Sequence, residues 1–118
     1  MLERTNSIDL INQIEELMEE LSISIKELRK SGEALAEKER NYKVSLTQEI
    51  AKLRAEKYPV TLISQMIYGI EPVATKRFDR DMAQAKYTAN QEHINVTKLK
   101  LRIIESQLNR EWSNLKNE

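Results

Sequence analysis

Apolar residues recur at Leu10, Ile14, Leu17, Leu21, Leu28, Leu35, Tyr42, Leu46, Ile50 and Leu53, in steps of three, four or seven. That spacing keeps one face of an α-helix apolar and approaches a heptad repeat. It predicts a first helix over about residues 7–57. Ser7 or Asn6 is placed to accept from the free amides of the first turn, and Asp9 just inside suits the helix dipole. Gly32 after Ser31 is the one internal breaker. It reads as a tolerated glycine or mild kink costing on the order of 1 kcal/mol, with a true break as the alternative.

A second helix is predicted over about residues 72–115, and it carries two apolar stripes. The first is Phe78, Met82, Ala85, Ala89, Val96, Leu99 and Ile103; the second is Ile94, Leu101, Ile104, Leu108 and Leu115, with Trp112 close by. One partner helix cannot cover both. The first helix has a similar surplus, because Ile11, Met18 and Ile25 form a seven-residue series beside Ile14, Leu21 and Leu28.

Between the helices lies an apolar island, Tyr58-Pro59-Val60-Thr61-Leu62-Ile63 through Tyr68-Gly69-Ile70-Glu71-Pro72, holding both prolines and one of the two glycines of the chain. Proline lacks the amide donor and clashes with the preceding turn, so neither helix crosses it. The connector, residues 58–71, has room for one short helix. Thr61 is its expected N-cap and Gly69 its left-handed stop. Pro72 is expected at the first position of the last helix, where its missing amide is harmless.

The expected fold is therefore all-α. It is a long, coiled-coil-like antiparallel helical hairpin with a short helix in the connection, forming a single domain over 1–118. Folding about the island places Leu28 opposite Leu101, Leu21 opposite Leu108 and Ile14 opposite Leu115. The surplus faces then meet at the open end. Ile11, Met18, Ile25, Ile94, Leu101, Ile104, Leu108 and Leu115 become the expected interface of a homo-oligomer, most simply a dimer forming a four-helix bundle, or a larger one.

Composition agrees with long helices. Aromatic residues are 5% of the chain and charged residues 32%, and only two glycines and two prolines occur among 118 residues. Such a hairpin buries one thin seam, which is a second reason to expect a partner copy. Charge sums to zero but is unevenly spread. Residues 1–35 hold eight acids and four bases, net −4, and the remaining 83 residues hold 11 acids and 15 bases, net +4. That split suits internal or subunit pairing better than an uncompensated polyanion site. Cysteine is absent, which excludes disulfides and thiolate metal sites. Neither a leader-like N-terminus nor a membrane-length apolar run is present, so the expected location is the cytoplasm.

Catalytic chemistry finds little support. His93 is the only histidine, so the paired Glu-x-x-His pattern of a bundle metal site is missing. Asp79 and Asp81 are two apart and point in different directions on a helix, so they cannot share one site. No phosphate loop or nucleophile elbow occurs. The expectation is a non-enzyme without cofactors. Lys76, Arg77, Arg80 and Lys86 form a basic strip that could contact phosphates, but Glu71, Asp79 and Asp81 share its segment, so nucleic acid is an unfavoured partner. The island's Leu62, Ile63, Met66, Ile67, Tyr68 and Ile70 either plug the hairpin end, the favoured reading, or dock a partner protein.

At Ala55-Glu56-Lys57-Tyr58-Pro59-Val60-Thr61-Leu62-Ile63, with Met66 and Gly69, and again at Ile103 to Trp112, the chain resembles a family of small proteins from phages and prophages of Gram-positive bacteria. The resemblance covers about residues 45–113, and the motif is expected to carry glycine where Lys57 stands. It implies a phage accessory protein, with a host or phage protein as possible partner, and carries no activity. Three functions follow in order of preference: a self-associating scaffold or protein-binding module, a phage regulator or inhibitor docking through residues 58–73, and a nucleic-acid accessory protein.

Overall fold

In the computed structural model, which describes residues 7–116, α1 (Ser7–Ala55) and α3 (Glu71–Lys116) are two long helices joined by α2 (Val60–Met66) and a single 3-10 turn, Ile67–Gly69. The chain is an all-α helical hairpin. Asn6, the alternative cap for α1, lies outside the described residues. α1 runs unbroken through Gly32, as its long apolar periodicity demands.

The reversal is set by backbone chemistry at the end of α1. Lys57 takes a left-handed conformation, φ 66. Its amide bonds to the Arg54 carbonyl at 3.0 Å and the Tyr58 amide to the Leu53 carbonyl at 3.1 Å. This pair of bonds is a Schellman stop, which satisfies carbonyls the helix would leave orphaned. Pro59 follows and prevents continuation. Lys52 and Arg54 in the last turn suit the negative end of the helix dipole.

Two expected caps are corrected here. The N-cap of α2 is Pro59, not Thr61: Pro59 is extended (φ −63, ψ 145), and its carbonyl accepts from the Leu62 and Ile63 amides at 3.1 and 3.0 Å. Thr61 lies inside the first turn. Gly69 is not a left-handed stop either, since it sits in the 3-10 turn and no glycine has positive φ. Extended Ile70 ends that turn and starts α3, its carbonyl accepting from the Ala74 amide at 2.8 Å. Pro72 is then the second residue of α3, still within the turn that lacks amide partners.

Backbone contacts divide the chain into two units, one spanning Arg29–Thr88 and the other joining α1 through Leu28 to α3 from Ala89 onward. In the first unit Tyr42, Leu53, Ile63, Ile67 and Val73 form the core, with Leu46, Ile50, Met66 and Ile70 packed against it. α2 and the 3-10 turn thus already belong to the returning limb. The chain turns at Lys57–Pro59 rather than around the middle of the island.

That early turn corrects the expected register. In the second unit, Ser7 donates to the Glu111 carboxylate at 3.1 Å, and Asn90 donates to the Glu27 carbonyl at 3.4 Å. Asn90, not Leu101, is therefore the residue beside the Glu27–Leu28 step of α1. Glu20 meets His93 in the same register.

Candidate interaction surfaces

The pattern of burial along α1 and α3 identifies which faces remain available. On α1 one run of buried and half-buried positions is Leu10, Ile14, Leu17, Leu21, Ser24, Leu28, Ser31, Leu35, Lys38, Tyr42, Ser45 and Glu49, with Ser7, Glu20, Gly32, Asn41, Leu46, Ile50 and Leu53 also covered beside it. The run steps alternately by four and three, the rhythm of a coiled-coil seam. α3 answers with Arg80, Ala83, Tyr87, Asn90, Ile94, Thr97, Leu101, Ile104, Leu108 and Glu111 in the same rhythm. Several of these are small or polar. Buried Thr97 turns its hydroxyl to its own helix, donating to the His93 carbonyl at 2.9 Å. Among the described residues no buried side-chain nitrogen or oxygen lacks a partner.

This burial pattern distinguishes the two stripes on α3. Ile94 and Leu101, expected in an oligomer interface, are only 6% and 9% exposed and pack within the chain. Ile104 and Leu108 are half-buried on the same seam. The first stripe lies on the outside: Phe78, Met82, Val96, Leu99 and Ile103 are 47% to 63% exposed. Ile11, Met18, Ile25 and Leu115 of the expected interface are exposed, as is Trp112.

The island divides. Ile63 and Ile67 are 5% and 3% exposed and belong to the core, with Met66 and Ile70 packed against it. Leu62 and Tyr68 are exposed, together with Tyr58 and Val60. Alternate residues of a short amphipathic segment thus serve the core and the surface.

The basic strip is partly occupied. The Arg77 guanidinium lies 5.1 Å above the Tyr68 ring, and that of Arg80 lies 4.6 Å above the Tyr42 ring. Arg80 also donates to the Asp81 carboxylate at 2.9 Å. Stacking of this kind favours a cation in place without phosphate. Lys76 and Lys86 are exposed.

In the second unit, His93 Nε2 lies 3.1 Å from a Glu20 carboxylate oxygen, both residues being about half exposed. Beside them runs a surface groove of about 340 Å³ lined by Gln13, Glu16, Leu17, Glu20, Lys100, Ile103 and Ile104. Its floor is apolar and its rims carry opposite charges. Among the described residues no cluster of three or more metal-ligating side chains occurs, and no helix is long and apolar enough to cross a membrane.

No protein-family model, curated protein or solved structure matches this chain.

Proposed function

We propose that this protein is a non-enzymatic, self-associating helical module that acts as a scaffold or protein-binding element. The observation that supports it is the placement of the apolar side chains. Among the described residues eight hydrophobic residues are buried, whereas seventeen large ones are exposed. Isolated exposed hydrophobics are ordinary, but stripes in register along a helix belong to interfaces. Among the described residues of the second unit only Leu10, Ile94 and Leu101 are buried hydrophobics. At about 1.5–3 kcal/mol for each buried aliphatic side chain, that is a thin return for ordering so long a helix pair. The family resemblance would place the module among phage accessory proteins.

Sedimentation velocity on the full chain at micromolar concentration tests this reading. Particles of at least twice the chain mass are expected. A folded, cooperative monomer across that range would refute it.

A second reading is favoured by Tyr58, Val60, Leu62 and Tyr68, which are exposed around the turn. They would suit docking on a host or phage protein. Replacing Leu62 and Tyr68 with Ser leaves the core residues Ile63 and Ile67 untouched and separates this role from folding.

A further inference from the structure

We infer that two copies of this chain associate through the outer stripe of α3, the two helices lying antiparallel about a two-fold axis between Asn90 and Gln91. The inference rests on the self-association proposed above and names the face and the register.

α3 is one unbroken helix, and its outer stripe steps by four and three from Phe78 to Ile103, apart from one seven-residue step from Ala89 to Val96 with Glu92 at the place between. A second heptad series, turned away from α1 except at Ile103, which also lines the groove beside it, is the pattern of a second coiled-coil seam. Over 26 residues, counted from 78 to 103, that seam is roughly 40 Å long at about 1.5 Å per residue.

The stripe is self-complementary when reversed. About the stated axis Phe78 meets Ile103 of the second copy, Met82 meets Leu99, Ala85 meets Val96 and Ala89 meets Glu92. Large groups pair with large groups at both ends. Small ones occupy the middle, where Ala89 leaves the Glu92 carboxylate a way out to water. The same operation brings the flanking charges together: Asp79 approaches Lys100 of the second copy on one flank, and Asp81 approaches Arg102 on the other. Symmetry repeats both pairs. A parallel arrangement would set Glu92 on Glu92 in the seam and leave Asp79, Lys100 and Arg102 without opposite charges across it, pairing only Asp81 with Lys86. The like-charge pair in the seam and the lost ion pairs disfavour it. Asp81 already accepts a hydrogen bond from Arg80, but a carboxylate has lone pairs for a second cation.

The test is a charge exchange on the full chain, read by sedimentation velocity with circular dichroism to confirm retained helix. Asp79→Lys/Asp81→Lys in one variant and Lys100→Asp/Arg102→Asp in another each put like charges across the antiparallel seam. Each variant alone should dimerise at least about 10-fold more weakly than the natural chain, and an equimolar mixture should recover a dimer. Leu99→Glu should weaken dimerisation by about 30-fold or more while leaving the helix content unchanged. If the natural chain dimerises and these variants dimerise equally well, the α3 face is refuted while self-association stands. A mixture that fails to recover a dimer overturns the antiparallel register. A monomeric natural chain removes both readings.

Discussion

Gly32 of α1 lies against the ring of Tyr87 on α3: a β-carbon built on the glycine would stand 3.3 Å from Cε2 and 3.7 Å from Cδ2. The glycine is therefore a point of close approach inside an unbroken helix. Two effects oppose each other there. Alanine gains about 1 kcal/mol of helix propensity, while the tight contact forces the ring to shift.

Gly32→Ala should accordingly leave stability near that of the natural chain, and Gly32→Leu should lower it by about 1–3 kcal/mol. In a Tyr87→Ala background the obstacle is gone, and Gly32→Ala should then stabilise by about 1 kcal/mol. Urea unfolding of the four chains measures the coupling. Equal effects of Gly32→Ala with and without the Tyr87 ring would show that the contact costs nothing.

The reversal makes a prediction about backbone strain. A left-handed conformation costs a non-glycine residue about 1–2 kcal/mol, and Lys57 adopts it. Lys57→Gly should raise stability by about 0.5–1 kcal/mol after the entropy lost by glycine is counted, and Lys57→Val should lower it. Gly69 needs no such freedom, since its φ is not positive and a β-carbon there meets nothing within 4 Å. Gly69→Ala should be neutral or mildly stabilising. Thermal unfolding of the three variants decides the matter, and a destabilised Lys57→Gly would contradict the strain argument.

The island's two faces should respond differently. Ile63→Ala or Ile67→Ala empties a buried site and should cost about 2–5 kcal/mol. Leu62→Ala removes an exposed side chain and should cost within about 0.5 kcal/mol. Chemical denaturation gives both values. Comparable losses at positions 62 and 63 would mean that the exposed face is covered in the folded protein.

The stripe assignment on α3 is open to a simple comparison. Leu101→Glu buries an uncompensated charge in the seam and should abolish cooperative unfolding. Leu99→Glu, two residues away on the outer face, should preserve helix content at low protein concentration. Circular dichroism melts of both variants tell the faces apart, and the reverse outcome would exchange them.

Nucleic-acid binding should be weak at 0.15 M salt, because Arg77 and Arg80 already rest on Tyr68 and Tyr42. Fluorescence anisotropy with labelled DNA and RNA checks this. Sub-micromolar binding with a steep salt slope would promote the strip containing Lys76 and Lys86.

Much of the fold was legible from local chemistry alone. The heptad spacing of Leu10 to Leu53 foretells both the length of α1 and the residues on its buried face, because side-chain direction on a helix follows from sequence spacing. The two prolines mark where each long helix must yield. The details of the connector were less readable. Threonine and glycine are good caps in general, yet Pro59 caps the short helix and extended Ile70 ends the turn after it. The left-handed residue is Lys57 at the end of α1, where satisfying the carbonyls of Leu53 and Arg54 decided where the chain turned.

What the chain's order could not decide was which stripe of α3 faces α1. The outer stripe, with Phe78, Met82, Leu99 and Ile103, is the more hydrophobic of the two. The inner one includes Arg80, Asn90 and Thr97, yet it is the one that packs. Its residues match particular partners on α1: Tyr87 fits over Gly32, Asn90 reaches the Glu27 carbonyl and Arg80 stacks on Tyr42. Those pairings depend on a register set by the turn at Lys57–Pro59. Spacing along one helix determines that two apolar faces exist, whereas only the fit of side-chain shapes and hydrogen bonds between helices determines which face is turned inward.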